Sequence, residues 1–260
     1  FGIYAEHDID GWIAQGPLHI NVPLEEASPV GLDGCSISLP NPDLVASRTS
    51  ASDHHTELFQ QFLNGQGQCM VLVGCLPLSW RDDVKSFLRR LNVPVLAEAT
   101  SGLREEFPRC CVPDDVARVL RIGGVPTDRL WRDLEEKPGV EVFSVAPNGL
   151  PGLARESSVV TSPCWNALDV HENFNGCHYD NSSLDELLCA YPESEPSWVR
   201  RLSEYIPEGS LVFLGNSQPV REWNLAATLN SRGLRCFANR GANGIDGCVS
   251  TFLGLSSREK

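Results

Sequence analysis

The chain has 260 residues, of which 42% are hydrophobic and 21% charged, a composition typical of a globular protein that buries a core. Its formal net charge of -13 argues against broad electrostatic binding to nucleic acid or to an anionic membrane surface, although it allows a local basic pocket for a small anion. No apolar run approaches the roughly 18 residues that a membrane-spanning helix needs. The first ten residues contain three acidic residues and no lysine or arginine, so they do not resemble a signal peptide.

The ten cysteines include no Cys-x-x-Cys pair. Cys69, Cys75 and Cys236 stand inside apolar runs, which predicts buried, reduced thiols rather than a disulfide framework or a zinc site. The chain also shows no metal-ligand spacing and no nucleophile–histidine–acid arrangement. It begins at Phe1, and its only methionine is Met70, so we expect a piece of a longer or processed polypeptide.

The first 50 residues resemble the end of one domain. Leu18, Ile20 and Val22 alternate with polar residues, as in a short strand. Residues 27–50 are rich in Ser, Pro, Asp and Gly, which is typical of a linker.

From Ser52 onward, strand patterns and helix patterns alternate. The predicted strands are Met70–Gly74, Val93–Ala97, Val116–Ile122, Val140–Val145 and Val159–Thr161, and the predicted helices are capped by Asp53, Ser79 and Thr127. This alternation predicts an α/β fold with a Rossmann-like parallel sheet. After a loop over residues 163–181, Ser182 begins a short helix, residues 191–196 form a break, and a further amphipathic helix starts near Trp198.

A strand, a turn and a helix start then occur twice, in Leu211–Arg221 and in Cys236–Gly247. Ligands of open parallel sheets bind where strands end and helices begin, so Arg221 and Arg240 are expected near one crevice. Two guanidinium groups there indicate a ligand with carboxylates or phosphates.

Each of these features also has a simpler interpretation. Ser217 alone favours a purely structural cap, with Pro219 in the first helical turn, although Arg221 lies four residues later on a similar side. The glycines of residues 241–247 match neither a dinucleotide loop nor a Walker loop and can form an ordinary turn. Arg129 can reach the crevice or be an exposed helix arginine, with equal weight.

Four motifs together resemble one family in order and spacing. They are Gly16–Glu26, Arg121–Thr127, Leu214–Arg221 and Ala238–Gly247, and the last two are the most specific. The family is that of the 2-succinyl-5-enolpyruvyl-6-hydroxy-3-cyclohexene-1-carboxylate synthases of menaquinone or phylloquinone biosynthesis, which are thiamin-diphosphate enzymes.

The resemblance implies three α/β domains. Residues 1–27 would be the tail of a pyrimidine-binding domain, residues 28–190 a central Rossmann-like domain, and residues 191–260 the start of a diphosphate-binding domain. The implied enzyme is a succinyl transferase. It decarboxylates 2-oxoglutarate and adds the succinyl carbanion to isochorismate, with thiamin diphosphate and magnesium as cofactors.

The resemblance also implies site residues. Asn216, Ser217, Arg221 and Arg240 would line the substrate site, and Ile245 would support the bent cofactor. Arg129 matches a basic substrate-site position, where members often carry Ser-Lys in place of residues 128–129.

The family's activating glutamate would lie before the first residue, and its metal-binding Gly-Asp motif after the last. We therefore expect no catalytic residue or metal ligand in this chain, no tight cofactor binding and no turnover by the chain alone. The family implies a homodimer or homotetramer in the cytoplasm, or in a plastid if the source is a photosynthetic eukaryote. The alternatives are another thiamin-diphosphate decarboxylase of the acetolactate type, or a non-catalytic α/β binding module.

Overall fold

The structure is a computed structural model that describes residues 53–107, 112–113, 115–170, 182–240 and 245–257. Residues 1–50 form one unit and residues 51–260 another. The predicted strand at residues 18–22, the linker at 27–50 and the glycines of residues 241–244 lie outside the described residues. The domain boundaries at 27 and 190 stay predictions.

Five parallel strands form the larger sheet, in the order β2-β1-β3-β4-β5. The strands are β1 (Gln68–Val73), β2 (Val95–Ala97), β3 (Val116–Ile122), β4 (Glu141–Val145) and β5 (Ser158–Val160). Helix Arg81–Leu91 connects β1 to β2 and helix Arg129–Asp133 connects β3 to β4, so the predicted α/β fold with a Rossmann-like parallel sheet is confirmed. Most strand residues are buried because both faces of such a sheet are covered, although β3 also contains Arg118 and Arg121.

Seven α-helices occur in the described ranges. They are α1 (Asp53–Leu63), α2 (Arg81–Leu91), α3 (Arg129–Asp133), α4 (Ser182–Ala190), α5 (Glu195–Tyr205), α6 (Gln218–Ala226) and α7 (Cys248–Ser256). None of the helices in these ranges is long and apolar enough to cross a membrane.

An aromatic cluster fills one side of the larger sheet. Phe59 of α1 is fully buried and stacks on Phe143 of β4 with 5.3 Å between ring centroids, while Trp165 packs edge-on at 5.9 Å. The other side is packed by a second cluster that includes Met70 and Trp131. Because both faces are covered, this layer holds most of the core.

A second, smaller sheet pairs β6 (Leu211–Leu214) with β7 (Arg235–Ala238) in parallel. Its core is a separate cluster in which Leu214, Val220 and Trp223 pack against Ala99 of the larger layer. The strands of the two predicted strand–turn–helix motifs are thus confirmed as neighbours in one sheet. The turn of the second motif includes residues 241–244, which lie outside the described residues.

Two predicted helix caps and one predicted break are wrong in detail. Ser79 lies inside a 3-10 turn, and α2 begins two residues later without a side-chain cap. Thr127 does not cap α3, because the carboxylate of Asp128 accepts the hydrogen bond from the Leu130 amide. The predicted break at residues 191–196 ends earlier, since Ser194 caps α5 and Pro196 stands in its first turn.

The cysteine prediction is confirmed only in part. Cys69 and Cys236 are buried thiols that form no disulfide, and burial raises the pKa of Cys236 to about 12. Cys75 is an exposed free thiol, because β1 ends at Val73 and the chain has left the sheet by then. Within the described ranges, no three His, Cys, Asp or Glu residues are grouped so that they could hold a metal ion.

Candidate functional site

The carboxyl ends of β6 and β7 lie side by side. Leu214 is opposite Ala238 in the register, so the chain leaves both strands at the same edge of the sheet. Asn216 and Ser217 follow β6, and Arg240 follows β7. In parallel sheets this edge is where ligands bind. The structure therefore brings three of the predicted site residues to the edge that the sequence predicted.

Ser217 has a strained backbone at the start of α6. Its φ of 71° and ψ of -119° lie in a region that non-glycine residues rarely adopt, and its hydroxyl makes no capping hydrogen bond. The interpretation of Ser217 as a purely structural cap is therefore wrong: the residue occupies the cap position, but its side chain does not cap the helix. Such a conformation is unfavourable by about 1–3 kcal/mol and tends to occur at functional sites. The exposed hydroxyl is available to a ligand.

A cavity of about 270 Å³ opens between the carboxyl end of the larger sheet and helix α6. Arg129 at the start of α3 and Arg221 in α6 both line it, together with Thr127 and Asn224. Two residues that are 92 positions apart in the sequence thus present guanidinium groups to one space. Both interpretations of Arg129 stay open, because the residue lines the cavity and its side chain is 89% exposed.

The cavity lining is basic, although the chain as a whole is acidic. Its charged residues are four arginines and two carboxylic acids: Arg104, Arg129, Arg200, Arg221, Glu98 and Asp128. Local positive charge in a concave site attracts anions even when the net charge of the protein is negative.

Two of the four arginines already have structural roles. Arg104 donates hydrogen bonds to the carbonyl oxygens of Asn224, Ala227 and Thr228 at the end of α6. Arg200 donates to the carbonyl oxygen of Ala226 at 2.6 Å and forms an ion pair with Asp185 of α4. These guanidinium groups are committed to the backbone and hold the cavity wall in place.

The other two arginines are available to a ligand. The side chain of Arg129 is 89% exposed and is 3.5 Å from the Asp133 carboxylate, a weak surface contact. Arg221 is exposed and makes no hydrogen bond or ion pair within the described ranges. Two uncommitted guanidinium groups suit a ligand with two anionic groups.

Glu98, which sequence reasoning missed, is buried in the cavity wall directly after β2. Its Oε1 atom accepts hydrogen bonds from the amide and hydroxyl of Thr127 and from the Asp128 amide. Burial raises the pKa of Glu98, although the hydrogen bonds from Thr127 and the charge of Arg240 lower it. A signal was present, because Glu98 follows a predicted strand end just as Asn216 does.

The remaining predicted residues do not line this cavity. Asn216 is buried, while Arg240 is half-buried and its Nε atom has no hydrogen-bond partner within the described ranges. Ile245 lies just before α7 and is 66% exposed. These residues and Ser217 belong to the edge of the smaller sheet, and the charge of Arg240 links that edge to Glu98.

No protein-family model matches the chain. The chain is 37% identical over 99% of its length to the 2-succinyl-5-enolpyruvyl-6-hydroxy-3-cyclohexene-1-carboxylate synthase of Akkermansia muciniphila, of which it covers 54%. It is 34% identical over 94% of its length to the enzyme of the same name from Bdellovibrio bacteriovorus, of which it covers 50%. A relative from Lysinibacillus sphaericus with that name is 28% identical over 93% of the chain, which covers 48% of it.

The chain thus spans about half the length of the curated relatives that it matches. The similarity covers both sheets, including the edge of the smaller sheet and the cavity beside α6. By this relationship, the chain belongs to the 2-succinyl-5-enolpyruvyl-6-hydroxy-3-cyclohexene-1-carboxylate synthase family.

Proposed function

We propose that this chain is part of a thiamin-diphosphate-dependent synthase that decarboxylates 2-oxoglutarate and adds the succinyl group to isochorismate. The observation that carries the proposal is the 37% identity over 99% of the chain to a relative named as this synthase. The paired, uncommitted arginines of the cavity support it chemically, because both proposed substrates are dicarboxylates.

The substrate-binding residues of this proposal are those at the two strand ends and in the cavity. Arg221 and Arg129 would pair with carboxylates, and Arg240 would add a third cation at the neighbouring edge. Asn216 and the exposed hydroxyl of Ser217 would orient the substrate by hydrogen bonds.

The residues present fit one wall of a thiamin diphosphate site. Ile245, five positions after Arg240 in the sequence, has an exposed apolar side chain, and an apolar support of this kind suits an aromatic cofactor ring. When bound, the cofactor would supply the carbanion stabilisation that decarboxylation of a 2-oxo acid requires. The role of this chain is then to bind and orient the acceptor and donor, and we assign it no catalytic residue or metal ligand. We propose that magnesium and the diphosphate are held by other parts of a longer, dimeric or tetrameric protein.

The proposal is tested on the protein at full family length, with this chain in its natural flanking sequence. We expect product formation that requires 2-oxoglutarate, isochorismate, thiamin diphosphate and magnesium together, followed by carbon dioxide release and by mass spectrometry. Arg221→Ala and Arg240→Ala should each raise KM for a dicarboxylate substrate by about tenfold or more, because a charge-assisted hydrogen bond is lost.

Arg89→Ala is the matched control, because Arg89 is exposed, lies outside the cavity and pairs only with Glu106 among the described residues. It should leave both KM values unchanged. Activity with pyruvate instead of 2-oxoglutarate would favour an acetolactate-type enzyme, and no turnover by the complete protein would favour a binding module. Micromolar binding of thiamin diphosphate by the 260-residue chain alone, measured by calorimetry, would contradict the division of the cofactor site.

A further inference from the structure

A closed ring of hydrogen bonds joins the two sheets beside the cavity. The Ala99 amide donates to the Asn224 Oδ1 atom at 2.8 Å, and the Asn224 Nδ2 atom donates to the Thr127 hydroxyl at 3.1 Å. The Thr127 hydroxyl donates in turn to Glu98, which precedes Ala99 in the chain. We call Glu98, Thr127 and Asn224 the cavity ring. Its three side chains come from three places: Glu98 follows β2, Thr127 precedes α3, and Asn224 lies on α6.

The ring connects the two elements that carry the uncommitted arginines. Arg221 lies three residues before Asn224 on α6, which places the two residues on neighbouring positions of one helix face. Arg129 lies two residues after Thr127 at the start of α3. All four residues line the same cavity. The Asn224–Thr127 hydrogen bond therefore joins the two arginine-bearing elements directly.

The hydrogen bonds of the ring are partly buried, and Glu98 is its most buried member. Glu98 is 6% exposed, and its Oε1 atom is saturated by three donors from residues 127 and 128. Arg104 holds the carboxyl-terminal end of α6, including the Asn224 backbone, through three carbonyl oxygens. From this fixed backbone, the Asn224 side chain reaches the Thr127 hydroxyl just before α3.

We propose that Thr127 and Asn224 are positioning residues that set the spacing of the Arg129 and Arg221 guanidinium groups for a dicarboxylate substrate. This inference rests on the proposed function for the identity of the substrate. Neither residue needs to touch the substrate. Their effect passes through Arg221, because a misplacement of about 1 Å in a binding group weakens catalysis strongly.

A double-mutant cycle in the protein at full family length tests this inference. Asn224→Ala should raise KM for 2-oxoglutarate or isochorismate by about tenfold, with a smaller change in kcat, since one buried hydrogen-bonded pair is lost. In an Arg221→Ala background, the same substitution should change KM little, because the group that it positions is gone. Equal effects of Asn224→Ala in both backgrounds would overturn the inference.

A second pair of variants guards against a simple folding defect. Thr127→Val removes the hydroxyl that closes the ring and should raise KM, whereas Thr127→Ser keeps the hydroxyl and should restore it. Gln60→Ala is the matched control: the Gln60 amide also bridges two backbone groups, those of Asp169, but lies outside the cavity lining. It should lower stability and leave KM unchanged. A rise in KM with Gln60→Ala equal to that with Asn224→Ala would show a merely structural role.

Failure of the two proposals is distinguishable by binding. Calorimetric titration with 2-oxoglutarate and with isochorismate gives Kd for each variant without turnover. If the wild-type protein binds a dicarboxylate but makes no product, the proposed function fails, while the Kd values of the cycle still decide the role of the ring. Coupling between positions 221 and 224 in those Kd values supports it, and additivity refutes it.

Discussion

The two sheets of this chain share one strand-and-helix pattern but differ in how completely they are buried. In the larger sheet, Cys69–Val73 of β1 and Arg118–Ile122 of β3 are buried at every residue. In the smaller sheet, Leu214 and Cys236 are the only buried residues of its two strands. Helix α7 has no buried residue in the described structure.

The part of the chain that holds most of the core is therefore not the part that carries most of the candidate site residues. The larger layer carries the two main clusters of the core, while the smaller layer carries Asn216, Ser217, Arg221 and Arg240. Burial of apolar area is the main favourable contribution to folding, so the larger layer should dominate the stability of the chain. The cavity ring and Arg104 then hold the site-bearing layer against it.

The largest expected effect comes from the aromatic cluster. Phe59→Ala should lower the free energy of unfolding by about 3–5 kcal/mol, because the ring is fully buried and a cavity would remain. The same substitution in the smaller layer, Phe252→Ala on α7, should lower it by no more than about 0.5 kcal/mol, since that ring is 45% exposed. Urea unfolding followed by circular dichroism measures both. Equal losses would contradict the division between the layers.

The next effect concerns the hydrogen bonds from Arg104 to the end of α6, which join the two layers. Arg104→Ala should lower the free energy of unfolding by about 3 kcal/mol, because three carbonyl oxygens at the end of α6 lose a charged donor. Hydrogen exchange should quicken in α6 but not in β1 or β3, and this is measured by mass spectrometry. Faster exchange spread evenly over both sheets would show that the layers unfold as one.

A smaller effect depends on pH. Because burial raises the pKa of Glu98 above its usual value of 4.5, the folded chain binds this proton more tightly than the unfolded chain. Its contribution to stability is therefore fully present below pH 4.5 and is lost as the pH rises through the raised pKa. Glu98→Gln removes this dependence.

The difference in unfolding free energy, wild type minus Glu98→Gln, should fall as the pH increases. It is measured by urea unfolding at a series of pH values, and the other titrating groups cancel in the difference. A difference that increases with pH would mean that the hydrogen bonds from Thr127 outweigh burial.

The smallest effect is expected at Arg129. Arg129→Ala should leave the free energy of unfolding unchanged, because the side chain is 89% exposed and its contact with Asp133 is a surface pair. It is therefore a matched control for Arg104→Ala in the same cavity. A measurable decrease in stability in thermal unfolding experiments would show that Arg129 also helps to hold the two layers together.

Local sequence patterns predicted the elements well and their caps poorly. The predicted bounds of the strand Val116–Ile122 match the observed ones, because its valine, leucine and isoleucine residues favour a buried strand even though Arg118 and Arg121 interrupt them. The cap at Thr127 was wrong because its hydroxyl binds Glu98, 29 positions earlier in the sequence. A cap is predicted from neighbouring residues in the sequence, whereas the Thr127 hydroxyl donates to Glu98, which only the folded chain brings near.

The candidate site shows the same division. Sequence patterns placed Asn216, Ser217 and Arg240 at strand ends, and the register of β6 and β7 agrees. They did not predict the strained backbone of Ser217, which depends on how α6 leaves the sheet. The roles of these residues toward substrate stay predictions.

The sequence by itself determined the alternation of strands and helices, the strand ends and the supply of arginines, because these depend on periodicity and local backbone preference. Only the tertiary structure decided which arginines are free for a ligand. Arg104 is bound to backbone carbonyl oxygens more than 100 positions away, whereas Arg221 faces the cavity without such a partner among the described residues. Hydrogen bonds between distant segments form only when the layers pack, so no local pattern could have told these two arginines apart.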